Sequence, residues 1–299
     1  MRITEQSASA SMTSRISKQS SRLSVLKEQL VTGKRINRPS DDPSGAAIAL
    51  NMRTSLNEIA QYKRTAEFAN QKLTATDDTL NSYENILDRV KTLVTKAMSD
   101  TTPQEARVAL ATEIEALSSR ILSVANTKYG DEYLFGGTRQ NAPPFDATTA
   151  APAGTPTAKQ YVQIEPGANA VAVSTTAEEL FADADSDIFT DLAAAVSALR
   201  GTGDAAADRA ALVETNNRLK VYSTLAQIAH TINGANMQAT EYAQDRLTND
   251  SLTFEARLDT VENVDFAETA IGLSEAQRAL EATLQVAASS RRSLLDFLG

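Results

Sequence analysis

Apolar positions recur at helical spacing over most of the chain. Met12, Ile16, Gln19, Leu23, Leu26 and Leu30 follow steps of four and three, which predicts an amphipathic helix that Gly33 ends. The strongest signal lies in 59–97. There Ile59, Tyr62, Ala66, Ala69, Leu73, Thr76, Leu80, Tyr83, Leu87, Val90, Val94 and Ala97 alternate in steps of three and four without a slip. Such a seam predicts one straight coiled-coil-like helix of about 58 Å at 1.5 Å per residue. Thr102, Pro103 and Glu105 then have the spacing of an N-cap, a first-position proline and a capping-box glutamate. The helix they open is striped by Leu110, Ile114, Leu117, Ile121 and Val124.

The pattern changes between 142 and about 187, where Ala, Thr, Pro and Gly dominate. "YVQIEPGANAVAVSTT" holds two short alternating runs around Pro166-Gly167, the signature of a hairpin with a longer loop. Helix returns at "DIFTDLAAAVSALR", and Asp204 can cap a further long helix after Gly201 and Gly203. In that helix Val221, Leu225, Ile228, Ile232, Ala235, Ala239 and Tyr242 share one seam. The register slips by one residue before Leu247, Phe254, Leu258 and Val261 take over. A last stripe runs through Phe266, Ala270, Leu273, Gln277, Leu280, Leu284, Ala287, Arg291, Leu294 and Leu298.

Helices at both ends need partners, so the two ends are expected to pair. The expected fold class is mainly α: an elongated rod of long antiparallel coiled-coil-like helices from both chain halves, with a small β-rich insert domain. The expected divisions are terminal helical arms at 1–40 and 264–299, a helical rod domain at 41–141 and 188–263, and the insert at 142–187.

Composition supports long helices over a deep globular core. Aromatic residues are only 5% and Trp is absent, so bulky core-filling groups are few. No window approaches the 18 or so consecutive apolar residues of a membrane-spanning helix. The net charge of -9 conceals a basic N-terminus, where eight Lys or Arg in residues 1–40 face only Glu5 and Glu28. Nucleic-acid binding is disfavoured because no aromatic stacking platform precedes Tyr62. The Ser- and Arg-rich start lacks the apolar run of a secretory signal, while its composition is also that of a mitochondrial transit peptide.

Candidate chemistry is sparse. With no cysteine, disulfides, thiolate metal sites and cysteine catalysis are excluded. The single histidine, His230, has no nucleophile and acid assembled around it in the sequence. Asp183, Asp185 and Asp187 resemble the start of a calcium loop, but Ile188 stands where its sharp-turn glycine belongs and Ala194 where its closing glutamate belongs. The better account is a solvated acidic loop that caps the next helix. The one Gly-Lys pair, Gly33-Lys34, lacks the first glycine of a phosphate-binding loop. No catalytic residue, cofactor or metal site is expected.

"TGKRINRPSDDPSGAAIAL", residues 32–50, breaks the helical pattern. Pro39 and Pro43 exclude Arg38 and Asp42 from the α region. Asp42 fits as N-cap with Pro43 as first helical residue, and Asp41 adds negative charge at the dipole's positive end. Gly45, Ala46, Ala47 and Ala49 are small, which suggests close approach by a neighbour whose acids Arg35 and Arg38 could pair. Physical chemistry alone supports a linker and a capped helix start.

The same segment resembles the N-terminal signature of the flagellin superfamily, through Arg35, Asn37, Asp41, Asp42, Pro43 and Gly45. Residues 261–299, "VENVDFAETAIGLSEAQRALEATLQVAASSRRSLLDFLG", resemble its C-terminal signature. "YLFGGTRQNAPPF" (133–145), "NVDFAE" and "SLLDFL" are similar to the hook-filament junction branch of that superfamily. The resemblance implies a non-enzymatic, extracellular axial protein of the bacterial flagellum, exported through the flagellar type III channel without a cleaved signal. It implies an adaptor between hook-associated protein 1 and flagellin, with copies of itself in a ring and a cytosolic export chaperone as further partners, and neither nucleic acid nor membrane. Assembly would run through the terminal helices, by Ile16, Leu23, Leu26, Leu30, Leu273, Leu280, Leu284, Leu294 and Leu298. The alternatives are a filament flagellin proper or another type III-exported coiled-coil protein.

Overall fold

The uninterrupted 59–97 seam becomes the inner face of a longer helix, α2 (Pro43–Ala97), in a computed structural model of the chain. Every seam position is buried except Tyr62, which is half-buried. The structure describes residues 2–99, 102–154, 157–167, 170–183 and 186–298, with side chains between 9 and 289. The described residues are mainly helical and divide into two compact units. One comprises 1–59 with 250–299, and the other is 60–249. Helix α2 and the later helix α6 (Ala205–Glu262) each contribute to both units.

In the 60–249 unit, α2 and α6 pair in antiparallel fashion. Asn233 donates its Nδ2–H to Leu73 O at 3.0 Å, while His230 lies against Asp77 and Glu84 further along α2. Helices α3 (Gln104–Ala125) and α5 (Ile188–Arg200) pack on each other, and both join the same core as α2 and α6. The stripe of α3 behaves as its spacing predicts, with Leu110, Ile114, Leu117 and Ile121 buried. Its start differs. Pro103 occupies the N-cap position without a side-chain cap, and Thr102 instead donates its hydroxyl to Lys96 O at 3.1 Å. The free carbonyls at the end of α2 are close enough to claim that hydroxyl.

The α6 seam turns the other way from expectation. Val221, Ile228, Ile232 and Tyr242 are exposed, whereas Tyr222, Ala226, Ala229, Asn233, Thr240, Ala243 and Leu247 are buried. The buried polar side chains Tyr222 and Asn233 have partners. Tyr222 donates its hydroxyl to Asp191 Oδ2 at 2.6 Å, in addition to the Asn233 bond. Burial and that carboxylate together hold the Tyr222 hydroxyl above the ordinary tyrosine range.

Two short antiparallel hairpins interrupt the helices. Strands β1 (Lys128–Tyr129) and β2 (Glu132–Tyr133) form the first. Strands β3 (Tyr161–Val162) and β4 (Val171–Ala172) form the second, around Pro166-Gly167 as the alternating runs predict. The short helix α4 (Ala177–Phe181) comes next, with a complete Thr176–Glu179 capping box. Phe181 lies at the centre of an aromatic cluster, 4.8 Å from Tyr83, 5.7 Å from Phe135 and 5.8 Å from Phe145 between ring centroids. The 142–187 stretch therefore supplies core side chains to this unit. Asp187 caps α5 through the N–H groups of Phe189 and Thr190, both at 3.0 Å, as expected of the acidic loop. Asp183 is more than solvated: it pairs with Arg218 at 2.9 Å.

Lys72 is almost wholly buried, with its Nζ donating to Glu132 Oε2 at 2.9 Å and Gln160 Oε1 at 2.8 Å. It ties α2 to both hairpin regions. Removing one partner of a buried amine costs more than replacing the amine itself. Glu132→Ala should therefore lower stability by about 1–3 kcal/mol, and Lys72→Met by less. Urea denaturation of the two variants checks the order; the reverse order would mean that the ammonium group is net stabilising.

The other unit is built on α1 (Arg2–Thr32) and α7 (Phe266–Leu298), which pack together. Gly33 lies near Phe266, Leu26 near Gly272, and Gln19 donates its Nε2–H to Ala276 O at 3.3 Å. These pairings run antiparallel, so the two ends of the chain meet as their stripes predict.

Candidate assembly site: the joint and the terminal helices

Helix α1 stops where glycine allows it to. Gly33 takes φ +70° and donates its N–H to Gln29 O at 2.8 Å, ending the helix in a left-handed turn. The ring of Phe266 lies 3.3 Å from where a Cβ would stand, so a side chain here would meet backbone strain and a ring that must shift by a few tenths of an ångström. The chain next runs beside the loop between α6 and α7. Val264 donates its N–H to Gly33 O at 3.1 Å, and Arg35 donates its N–H to Glu262 O at 2.6 Å. An isolated antiparallel bridge, Lys34 with Asn263, results.

Charge runs along the same line. The buried carboxylate of Glu262 receives Arg53 at 2.7 Å and Lys34 at 3.2 Å. Arg35 reaches Asp42 Oδ2 at 3.2 Å and donates to Val261 O at 2.9 Å. Arg38 pairs at 3.3 Å with Glu28 of α1. The expected pairing with acids of a neighbouring element therefore divides: Arg38 meets Glu28 on α1, whereas Arg35 meets Asp42 within the joint itself. Nothing in the sequence marks Glu262 or Arg53 for this pairing, since neither stands in a motif.

Asp42 caps α2 as its sequence predicts, accepting the Gly45 N–H at 2.9 Å, while Pro43 is the first helical residue. That N–H, with a further contribution from Arg35, holds the Asp42 carboxyl below its ordinary range. Asp41, two residues before Pro43, also closes the turn. Its Oδ2 accepts the N–H of Arg38 at 2.8 Å and of Asn37 at 3.1 Å, while Asn37 donates its Nδ2–H to Lys34 O at 3.0 Å. Gly45 is needed for close approach from within the joint: a Cβ there would lie 2.5 Å from Asp42 Oδ2 and 2.6 Å from Ile36 Cδ1.

On α1, Ile16, Leu23, Leu26 and Leu30 are half-buried along the predicted face. On α7 the inward face runs through Thr269, Leu273, Ala276, Leu280, Thr283 and Ala287. Leu273 and Leu280 keep their expected place, but Leu284 is exposed together with Phe266, Ile271 and Val286. The inward face thus keeps Leu273, Leu280 and Ala287 of the expected stripe but takes Thr269, Ala276 and Thr283 in place of Ala270, Gln277 and Leu284. The side chains of Leu294 and Leu298 lie outside the described residues. Among the described side chains of α1 and α7, only Thr269 and Ala276 are fully buried.

The chemistry elsewhere is limited. His230 meets the carboxylates of Asp77 and Glu84, partners distant in sequence that its local context did not suggest. Among the described residues no group of three or more His, Asp or Glu is placed to hold a metal. No described helix is long and apolar enough to cross a membrane.

The joint yields two expectations. Gly45→Ala should displace the Asp42 carboxylate or Ile36 and loosen the joint by about 1–3 kcal/mol, read as faster amide exchange at Arg35, Gly45 and Val264. Unchanged exchange would mean that the joint absorbs the methyl group. The lowered Asp42 acidity also has a sign. Its stabilising contribution is present above the ordinary aspartate value of about 3.9 and lost as pH falls through the lower folded-state value. Protection of the Gly45 amide, relative to an unstructured chain at the same pH, should therefore fall in acid, and Asp42→Asn should abolish that fall.

Known proteins share these features. Residues 3–140 match the family model described as the bacterial flagellin N-terminal helical region. Flagellar hook-associated protein 3 of Salmonella typhimurium is 26% identical over 189 residues, covering 58% of this chain and 59% of that protein. Its namesake in Escherichia coli is 28% identical over 213 residues, covering 64% and 66%. The alignments thus span less than two thirds of these relatives. A structure described as a flagellar hook-associated protein from Vibrio parahaemolyticus superposes with a TM-score of 0.68 at 18% identity. It covers 75% of this chain and 100% of that one, a likeness of fold. With the joint, the paired chain ends and both terminal signatures in place, the chain is similar to the flagellin superfamily over its N-terminal helical region and to these two hook-associated proteins over a longer span.

Proposed function

We propose that this chain is an axial structural protein of the bacterial flagellum that acts as adaptor at the hook-filament junction. It joins hook-associated protein 1 to the first flagellin subunits and stands in a ring of its own copies. It leaves the cell through the flagellar export channel, uncleaved and accompanied beforehand by a cytosolic chaperone. The role involves no catalytic step. One observation carries the reading: the α1–α7 pair is a helical hairpin whose described large apolar side chains are all at least partly exposed. Such a hairpin gains little from burial in one chain. Neighbouring axial subunits would complete it. The exposed α6 seam of Val221, Ile228, Ile232 and Tyr242 offers further apolar surface at a spacing suited to packing against another helix. The similarity to two proteins named hook-associated protein 3 favours the junction over the filament proper.

Deletion of the gene should leave hooks without filaments and shed monomeric flagellin into the medium, as electron microscopy and the culture supernatant would reveal. Normal filaments in that strain would refute the junction role. A second experiment addresses the terminal helices. Leu273→Asp with Leu280→Asp should abolish incorporation into flagella while leaving the main melting transition of the purified monomer within about 2 °C, since the inner face of this hairpin is only half-buried. A large fall in melting temperature would instead make the hairpin part of the monomer's stable core.

A further inference from the structure

Asn233 of α6 is the only asparagine of the chain that a glycine follows. That pair is the most labile setting of an asparagine side chain, because glycine has no side chain to shield its amide nitrogen from the neighbouring carboxamide. In the reaction the Gly234 nitrogen gives up its proton and attacks Asn233 Cγ. The new C–N bond closes a cyclic imide, the Cγ–Nδ2 bond breaks, and the side-chain nitrogen leaves with that proton as ammonia. Water then opens one or other carbonyl of the ring, which gives an aspartyl or an isoaspartyl residue. One water enters and one ammonia leaves, and no other reactant is needed.

The fold withholds what the reaction requires. Residue 234 is interior to α6, so its N–H is engaged with the carbonyl four residues back. The planar imide also needs a backbone angle outside the helical range, so residue 233 must leave the helix to react. Asn233 is 3% exposed, and its Nδ2 donates to Leu73 O at 3.0 Å and to Asp77 Oδ1 at 3.3 Å. The glycine that makes the pair labile is not one that packing demands. A Cβ at Gly234 would meet nothing within 4 Å, and alanine is the better residue for a helix interior.

We propose that Asn233–Gly234 is a fold-gated modification site, protected while α2 and α6 are paired and reactive in the unfolded chain, where loss of ammonia makes unfolding one-way. The product cannot resume the native contacts. An aspartyl carboxylate at 233 would set acceptor oxygens against Leu73 O and Asp77 Oδ1 at a buried position. An isoaspartyl linkage adds an atom to the main chain in the middle of α6 and offsets its hydrogen-bond ladder.

The test uses the full chain, held in mildly alkaline buffer with and without guanidinium chloride and read by peptide mass spectrometry. Conversion at 233 should lead that of every other asparagine in denaturant. Without denaturant it should run at least about a hundredfold slower, since only locally opened molecules react. After the denaturant is removed, the fraction that fails to refold should follow the fraction converted. Gly234→Ala should fold, react several-fold more slowly in denaturant and keep its refolding yield correspondingly longer. Asn233→Asp, which carries one product from the start, should lose several degrees of melting temperature, and it keeps the proposal testable if the alanine variant does not fold. Equal rates with and without denaturant would overturn the gate, and conversion led by another asparagine would overturn the site. Converted chains that refold to the wild-type melting transition would overturn the one-way consequence.

Discussion

Two backbone hydrogen bonds, from Val264 to Gly33 O and from Arg35 to Glu262 O, fix the register in which the two ends of the chain meet. Both segments are helix breaks, so each would otherwise leave its polar groups to water or to the wrong partner. Once Lys34 stands opposite Asn263, the faces of α1 and α7 are no longer free to choose. Gly33 must lie at Phe266, Leu26 at Gly272 and Gln19 at Ala276. A slip of one residue would rotate a helix by about 100° and carry Ile16, Leu23, Leu26 and Leu30 off the inner face. The ion pairs of Glu262 with Lys34 and Arg53 reinforce the same register from the side chains. Glu262 is buried, so its two cations do more than decorate a surface.

The sequence makes some of this legible and hides the rest for an identifiable reason. In α1 and α2 the large aliphatic residues and the inner face coincide, so spacing alone finds Leu23, Leu73 and Leu87. In α6 and α7 there are two candidate faces, one of large aliphatics and one of small residues. Hydrophobicity favours Val221, Ile228 and Leu284, while close helix approach favours Ala226, Ala229 and Ala276. The choice is made by partners far away in the chain: Leu73 O for Asn233 and Asp191 for Tyr222. No window of local sequence contains them. The joint was easier because its information is local. Pro39, Asp42, Pro43 and Gly45 state a helix break and a capped restart within a few residues, although the division of labour between Asp41 and Asp42 needed geometry.

Turning small residues inward has an energetic consequence. Scattered exposed leucines or valines on a protein surface need no explanation, but the α6 residues repeat at coiled-coil spacing over three turns and more. A helix that hides alanine, threonine and asparagine while presenting valine, isoleucine and tyrosine gets less from its own chain than its composition would allow. The withheld side chains are each worth about 1.5–3 kcal/mol on full burial. The terminal hairpin shows the same inversion in α7, where Ala276 is buried and Leu284, Ile271 and Val286 face outward. Apolar surface is thus left exposed at both places, the surface on which the proposed assembly draws.

The proline-broken joint then separates two kinds of order. Were α1 to run straight into α2, helix propagation would extend from one to the other at little cost per residue. Pro39 and Pro43 remove that route, because the residues before them are driven out of the helical region. Helix α1 can therefore gain order only by lateral contact, with α7 or with a neighbour, and not by extension from a helix already formed. The capped start of α2 remains satisfied either way, since the Gly45 N–H has Asp42 as its partner. Fraying of the terminal helix need not spread past residue 42, and ordering of the terminal helix need not disturb α2. A chain built in this manner can gain or lose order in its terminal helices while the remainder of its structure stays as it was.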